Sequence, residues 1–334
     1  ELPRSWRKDL IAGITVGVVA LPLALAFGIS AGLSAEAGLM TAIVAGLVAA
    51  IFGGSHVQVS GPTGAMTVVL VPIVHRFGVE AVFVVGIVAG AMVVAAAFAG
   101  LGRYLAYIPW PVIEGFTLGI AVIIFLQQVP AALGVEKPEG ENTAAVAFKA
   151  ARDALDNGSA AAIAMVLIVA AVMVVAPRIH RGIPASLVAI AIATVVSIAA
   201  DFDVAQIGSL PGSLPMPSLP DLSVGRASDI LSAAFAVALL AALESLLSAK
   251  VADGMSRGER HDPDRELFGQ GLANLVSPLF GGMPATGAIA RTAVNVRAGA
   301  QTRVAAIVHA LVLVAVVYFG GSLVAEIPLA ALAG

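Results

Sequence analysis

Two charged side chains lie inside apolar stretches of this sequence and are the first candidates for chemistry. Glu244 lies in the stretch 243–248 and Arg291 in the stretch 288–297. Only 12% of the residues are charged, about half the share in soluble domains, which indicates a membrane protein. A charge at the bilayer centre costs about 2.5–3.5 kcal/mol on insertion scales, so it faces a cavity or a partner and is a functional candidate.

These two residues predict an ion-binding function. We expect Glu244 to carry a coupling proton or to form part of a sodium site, with Ser248 one helical turn away on the same face. Arg291 is expected to contact an anionic substrate, to form a structural salt bridge with Glu244, or both.

Two short sequences share the tripeptide Thr-Gly-Ala, at 63–65 and 286–288. Each follows a Phe-Gly-Gly sequence, and each is followed by a short apolar run, 62–76 in the first case and 288–297 in the second. At 1.5 Å per residue the stretch from Pro62 to His75 gives a helix of about 21 Å, against a hydrocarbon core of about 30 Å, and the second run is shorter still. Paired short segments in two halves of a membrane protein indicate a transport site.

The residues around these tripeptides predict two half-helices that begin within the membrane. The stretch 56–61 alternates like a short strand, and Pro62 suits the first position of a helix. The second half-helix is expected to begin between Thr286 and Arg291, from the opposite side. Two helix N-termini, each with a partial positive charge and free N–H groups, then face each other and attract an anion.

Small and hydroxyl-bearing residues at these N-termini fit the same interpretation. Gly64 and Gly287 allow close backbone approach, and Thr63 and Thr286 offer hydroxyl groups. The sequence therefore predicts an anion site near the membrane midplane.

The composition excludes several other classes of site. The chain has no cysteine, which excludes disulfides, iron–sulfur clusters and thiolate metal sites, and no other metal or cofactor site is predicted. A membrane-embedded enzyme needs a nucleophile and base at one depth, and Glu244 with Ser248 lacks a histidine and an oxyanion hole. We predict that the protein is not an enzyme.

The apolar runs predict an all-α polytopic membrane protein with its N-terminus in the cytoplasm. They fall at about 10–29, 34–52, 62–76, 80–99, 109–132, 159–176, 184–200, 228–249, 266–281, 288–297, 301–319 and 322–334. The loops 133–158 and 201–227 are interpreted as solvated connections. Strict alternation then places twelve Lys and Arg residues inside and five outside, as the positive-inside rule requires. The inner set is Arg4, Arg7, Lys8, Arg103, Arg178, Arg181, Lys250, Arg257, Arg260, Arg265, Arg297 and Arg303, and the outer set is Arg76, Lys137, Lys149, Arg152 and Arg226.

The two Phe-Gly-Gly and Thr-Gly-Ala units also indicate an internal repeat. They lie at segments 2–3 and 9–10, an offset of seven segments. Since seven is odd, the second copy has inverted topology, as in many secondary transporters.

The sequence resembles the sulfate permease (SulP) family of anion transporters. The motifs that carry the resemblance lie at 20–28, 61–69, 244–249, 269–274 and 282–299. The resemblance implies a seven-plus-seven transmembrane inverted repeat with short strands before half-helices 3 and 10. It implies a core domain, about 10–99 and 228–319, and a gate domain, about 109–200 and 322–334. Family members typically add two further helices and a cytoplasmic STAS domain, which we expect to be absent from this chain.

The resemblance also implies a site between segments 1, 3, 8 and 10. Its substrate-binding residues are expected to be Phe27, Thr63, Gly64, Ser248, Ala288 and Arg291, with Glu244 as the ion-coupling residue. The cyanobacterial bicarbonate-transporting relative carries Asp at the position of Glu244 and Gly at that of Arg291. Relatives that carry dicarboxylates with protons fit a Glu and an Arg better.

We therefore expect proton-coupled symport of a dicarboxylate such as fumarate by an elevator-like mechanism. The alternatives are sodium-coupled uptake of bicarbonate or sulfate, and an anion channel or exchanger. The predicted partners are a small anion and the lipid bilayer of the cell membrane, with a homodimer in the full-length form and no nucleic acid.

Overall fold

The computed structural model is almost entirely helical. It describes residues 2–105, 110–138, 140, 142–179, 185–208, 212–220, 226–256 and 258–334. The helices are α1 Leu2–Ser30, α2 Ala35–Phe52, α3 Gly64–Phe77, α4 Val79–Phe98, α5 Gly102–Leu105, α6 Trp110–Leu133, α7 Thr143–Asn157, α8 Ala160–Ile179, α9 Ala185–Ala199, α10 Ala227–Met255, α11 Pro263–Val276, α12 Ile289–Arg297, α13 Val304–Phe319, α14 Gly321–Ala325 and α15 Leu329–Ala333. A 3-10 turn, Ser277–Phe280, follows α11.

The described helices confirm the prediction of an all-α polytopic membrane protein. Five stretches are long and apolar enough to cross a membrane: Trp6–Ser30, Ala35–Phe52, Val79–Phe98, Ala160–Ile179 and Ala227–Met255. Four shorter helical stretches are also apolar, namely Gly64–Phe77, Leu118–Leu133, Ala185–Ala199 and Val304–Phe319. Each predicted apolar run contains a helix. Arg181 and Arg257, which the orientation prediction counts, lie outside the described residues.

Two regions differ from the sequence-based expectation. The predicted loop 133–158 contains α7, which buries Val146, Ala147 and Ala150 and is capped by the Asn142 side chain. Its apolar residues recur at helical spacing, although the helix is too polar to be a membrane span. The predicted segment 322–334 is divided into α14 and α15, because Pro328 lies between them and pairs with Gln206 in an isolated β-bridge.

A two-stranded antiparallel ribbon precedes the two short helices. Strand β1 is Ser60–Gly61 and strand β2 is Thr286–Gly287, with Ser60 opposite Gly287 and Gly61 opposite Thr286. The predicted short strands before the half-helices are therefore confirmed, but the first is two residues long rather than the six of 56–61. The backbone N–H of Ala288 extends the pairing by donating to the Val59 carbonyl over 2.9 Å.

Glycines allow the helices around this ribbon to approach closely. A Cβ at Gly38 of α2 would lie 1.9 Å from the Ala24 carbonyl oxygen of α1. At the α4–α11 crossing, a Cβ at Gly90 would lie 2.8 Å from the Gly271 oxygen. Small residues at helix contacts are the usual basis of close packing in membranes.

Contacts divide the chain into two compact units. Unit 1 comprises Glu1–Thr117 and Ser213–Val316, and unit 2 comprises Leu118–Gly212 and Val317–Gly334. Within unit 2, α8, α9 and α15 pack around Met165, Val169 and Ala189. Unit 1 contains both strands and both half-helices. The assignment of core and gate domains stays a prediction.

Candidate functional site

The first half-helix, α3, begins at a threonine that also contacts the buried carboxylate. Thr63 is the N-cap, and its Oγ1 accepts a hydrogen bond from the Met66 N–H. The same hydroxyl donates to Glu244 Oε2 over 2.9 Å. Because Thr63 caps the helix, α3 starts at Gly64, which is buried, and the prediction that Pro62 is the first helical residue is wrong.

The second half-helix, α12, begins without a side-chain cap. Ala288 is its N-cap, is 5% exposed and offers no oxygen to the first turn of the helix. The N-cap side chain therefore accepts no hydrogen bond from the first N–H groups of α12. Since β1 and β2 are antiparallel, the helices that follow them leave in opposite directions, and both N-termini flank the strand crossing.

Glu244 lies in α10 beside this crossing. It is 9% exposed, and the Thr286 hydroxyl interacts with it in addition to that of Thr63. One threonine from each Thr-Gly-Ala tripeptide thus contacts the same carboxylate.

Arg291 is 2% exposed and lies in the first turn of α12. Its Nη2 donates to the Pro62 carbonyl oxygen of the opposite repeat. Its Nη1 has no hydrogen-bond partner among the described residues. This atom lies beside Gly61, where a Cβ would come within 2.7 Å of it.

The expected salt bridge between Arg291 and Glu244 is not formed. Both side chains are described, and none of the salt bridges between described residues joins them. They interact only through space. The reason is that the guanidinium lies beside Gly61 and donates to the Pro62 carbonyl, while the carboxylate contacts the threonine hydroxyls.

Ser248 reaches the site through a residue that sequence reasoning missed. Its hydroxyl donates to Thr292 Oγ1 over 3.1 Å, and Thr292 Oγ1 also accepts from the Val59 N–H at 3.0 Å. The neighbouring Ser245 accepts from the Gly287 N–H at 3.0 Å. Helical spacing could have identified Thr292, which lies four residues after Ala288, a predicted substrate-binding residue.

The remaining predicted residue, Phe27, lies in α1. It is half-buried, and α1 packs against α3 and α12. The structure therefore brings together Thr63, Gly64, Glu244 and Arg291, with Ser248 and Ala288 on the adjacent elements. The substrate-binding role of each stays a prediction.

Polar side chains from α2 and α11 hold the strand crossing, and the sequence analysis did not identify them. Thr41 accepts from the Met283 N–H at 2.7 Å. Asn274 exchanges two hydrogen bonds with the backbone of Ala285, at 2.8 and 2.9 Å. Both side chains are fully buried, so these bonds fix the chain that leads into β2.

The chain that leads into β1 is fixed in a corresponding way from α11. Glu266 Oε2 accepts from the N–H groups of Gly54 and Ser55, at 2.8 and 2.9 Å. Gln270 donates to Ser60 Oγ at 2.6 Å and to Glu266 Oε1 at 2.9 Å. Helices α2 and α11 therefore each hold the strand of the other repeat.

The site offers charges and dipoles rather than metal ligands. Among the described residues, no three His, Asp or Glu side chains are grouped so that they could hold a metal ion. The arrangement can bind an anion at the two N-termini and Arg291 Nη1, and a small cation at Glu244.

Comparisons with known proteins agree on one family. The model of the sulfate permease family matches residues 6–334. The putative sulfate transporter YvdB of Bacillus subtilis is 41% identical over 336 residues, which cover 99% of this chain and 63% of that protein. The bicarbonate transporter BicA of Picosynechococcus sp. is 35% identical over 345 residues, covering 99% and 60%. The chain thus spans about three-fifths of the length of these relatives.

Solved structures show the same fold. The transmembrane domain of a cyanobacterium bicarbonate transporter BicA matches with a TM-score of 0.92 at 33% identity, covering 100% of this chain and 87% of that one. SLC26A9 matches with a TM-score of 0.90 at 19% identity, covering 100% and 57%, and supports the fold alone.

Proposed function

Because this chain belongs to the sulfate permease family, we propose that the full-length protein is a secondary active transporter that takes up bicarbonate or sulfate together with a cation. Family membership confirms the resemblance predicted from the sequence. The relatives are transporters, in agreement with the prediction that the protein is not an enzyme.

The observation that carries the proposal is the free donor on Arg291. A buried guanidinium N–H without a partner costs free energy, about 1–3 kcal/mol for an unsatisfied group and more when it is charged. Nη1 lies beside Gly61 at the crossing of the two strands, where both half-helices begin. An oxyanion bound there satisfies this donor and the uncapped N–H groups of α12 together.

The charges at the site support coupling to a cation. Glu244 and Arg291 balance each other, so a bound anion leaves a net negative charge in a buried place, which is costly. One proton or sodium ion on Glu244 restores neutrality for bicarbonate and halves the excess negative charge for sulfate. Anion binding and cation binding then favour each other, which is the thermodynamic basis of symport.

The names of the relatives shift the choice of substrate. The sequence analysis favours a dicarboxylate such as fumarate, with a proton as the coupling ion. The two relatives described above are named for sulfate and bicarbonate transport, and this supports the alternative better. We therefore place bicarbonate and sulfate first and keep fumarate as a competing substrate in the experiment.

An elevator-like movement is part of the proposal. Such a movement requires one unit that carries the entire site. All the predicted site residues lie in unit 1, which agrees with this requirement. We propose that unit 1 corresponds to the core and unit 2 to the gate, in a cell membrane with a cytoplasmic N-terminus. We also propose that the full-length protein is a homodimer, which light scattering in detergent can check.

The test is uptake by the full-length protein in proteoliposomes. Labelled bicarbonate, sulfate and fumarate are each offered under an imposed sodium or proton gradient. We expect saturable uptake of bicarbonate or sulfate that needs one of the gradients. Uptake of fumarate alone, driven by protons, would restore the dicarboxylate interpretation, and unsaturable chloride flux that ignores both gradients would mean a channel.

Glu244→Gln tests the coupling residue in the same assay. We expect gradient-driven uptake to be lost, while exchange of anion for anion continues, because the amide cannot exchange a proton and carries no charge for sodium. Glu80→Gln is the matched control, since Glu80 is an exposed carboxylate at the start of α4. Equal uptake by the Glu244→Gln variant and the wild type would show that Glu244 does not couple the ion.

A further inference from the structure

A cavity of about 1450 Å³ lies within unit 1, on the side that the positive-inside rule predicts to be cytoplasmic. Its lining includes Met255 and Ser256 at the end of α10, and Val296, Gly299 and Ala300 at the end of α12. Glu244 and Ala288 lie earlier on the same helices. Both helices therefore run from the candidate site to the cavity.

The distance between the site and the cavity is short. Thr292 precedes Val296 by four residues, which is about 6 Å along a helix. The Ser248–Thr292 hydroxyl pair is therefore about one helical turn from the cavity wall. Val57 and Ser55 of the chain before β1 form another part of that wall.

Oxygen atoms bridge this last turn. Asn295 lies three residues after Thr292, on the same face of α12. It is fully buried, and its Nδ2 donates to the Val57 carbonyl over 2.8 Å. Its Oδ1 has no hydrogen-bond partner among the described residues. Since a buried amide oxygen without a partner is costly, we expect water or a cation to occupy its free side.

We propose that the coupling cation passes between Glu244 and this cavity along Ser248, Thr292 and Asn295, with Asn295 as the last side-chain oxygen before the cavity. This inference rests on the proposed function, because it assigns a route to the cation of that same site. The route lies within unit 1 and offers neutral oxygen atoms, which suit a sodium ion or a proton carried by water.

The cavity itself admits a cation. Asp253 and Glu259 line it together with Arg265 and Arg303, so the two signs of charge are balanced. His56 lies 3.8 Å from Glu259, an exposed contact. The selective part of the route is therefore the oxygen-lined turn and not the cavity.

Two substitutions of Asn295 separate the route from a structural role. Asn295→Leu and Asn295→Asp both remove the donor to the Val57 carbonyl. Only Asn295→Asp keeps an oxygen that a cation or water can contact. A merely structural asparagine predicts a loss in both variants that is at least as large with Asn295→Asp, because a buried carboxylate is costly, whereas the route predicts the larger loss with Asn295→Leu.

Access can be measured without transport. The chain has no cysteine, so Ser248→Cys introduces a single thiol into this part of the full-length protein, from which any other reactive cysteine is removed. Modification by the cationic reagent 2-aminoethyl methanethiosulfonate is followed from the cytoplasmic side. We expect at least tenfold slower labelling with Asn295→Leu than with Asn295→Asp. Ala273→Cys, at an equally buried position in an apolar cluster, is expected to stay unlabelled.

Transport provides the second readout. We expect Asn295→Leu to reduce sodium- or proton-driven uptake at least tenfold relative to Asn295→Asp, while anion exchange stays within twofold. Comparing the sodium and proton gradients identifies the cation. Equal labelling and equal uptake in the two variants would overturn the route.

The same experiment separates the two proposals. If labelling differs between the variants but the wild-type protein shows no cation-driven uptake, the proposed symport is overturned. The route would then not serve a coupling cation. If wild-type uptake is coupled but labelling and uptake do not distinguish the variants, only the route is overturned.

Discussion

Gly61→Ala tests whether Arg291 forms part of the anion site. Gly61 has a φ of +153°, a conformation that favours glycine. A Cβ there would lie 2.7 Å from Arg291 Nη1 and 3.2 Å from the Ala42 Cα. The guanidinium is the end of a flexible side chain and is expected to move, while the backbone of α2 stays in place.

The expected effect on binding follows from the hydrogen bond that the displaced guanidinium loses. A hydrogen bond to a charged group contributes about 1.5–3 kcal/mol. At 1.4 kcal/mol per factor of ten, this predicts anion binding that is about 10- to 150-fold weaker. The half-saturation concentration for uptake in proteoliposomes measures it. Backbone strain of about 1–3 kcal/mol is expected to lower the melting temperature in detergent as well.

Gly78→Ala is the control for that strain. Gly78 has a φ of +83°, and a Cβ there meets no atom within 4 Å. It is therefore expected to lower stability without changing anion affinity. In an Arg291→Gln background, Gly61→Ala should change affinity less than twofold. An unchanged affinity in Gly61→Ala alone, or an equal loss in Gly78→Ala, would refute the role of Arg291.

Two further substitutions test the elements that hold the site. Thr63→Val removes both the helix cap and the donor to Glu244, so we expect gradient-driven uptake to fall at least tenfold. Thr63→Ser keeps the hydroxyl and should retain most of the uptake. Similar uptake by the two variants would contradict the assigned contacts. Asn274→Leu leaves the Ala285 N–H and carbonyl unpaired, at a cost of about 1–3 kcal/mol each, and should lower the melting temperature by several degrees. Asn157→Leu, at the exposed end of α7, is the control and should leave the melting temperature unchanged.

The sequence predicts the half-helices because their signals are local. The Thr-Gly-Ala tripeptides, the length of the runs and the intramembrane charges need no knowledge of long-range contacts. The same signals place Glu244 and both tripeptides at one site, and the structure brings them together through Thr63 and Thr286.

The contacts that orient the two charges are not predictable in this way. A salt bridge between Arg291 and Glu244 was one alternative for Arg291, beside substrate contact, because a charge in a bilayer needs a partner and opposite charge is the simplest choice. In the structure Arg291 Nη2 donates to the Pro62 carbonyl and Glu244 contacts the Thr63 and Thr286 hydroxyls, and these contacts depend on the register of β1 and β2. Helix α7 was missed for a different reason, since the search for apolar runs passes over an amphipathic helix that is not a membrane span.

The reciprocal bonds from α2 and α11 explain how two unpaired charges are kept apart in a buried place. Thr41 and Asn274 fix the chain before β2, and Glu266 fixes the chain before β1. Rotation of either strand would have to break several buried hydrogen bonds, each costly in a medium without water. The backbone of the crossing is therefore held in place, and it fixes the positions from which the two side chains extend. An anion beside Arg291 and a cation at Glu244 each give one of these separated charges a partner, so the joint binding of both ions is favoured over either alone.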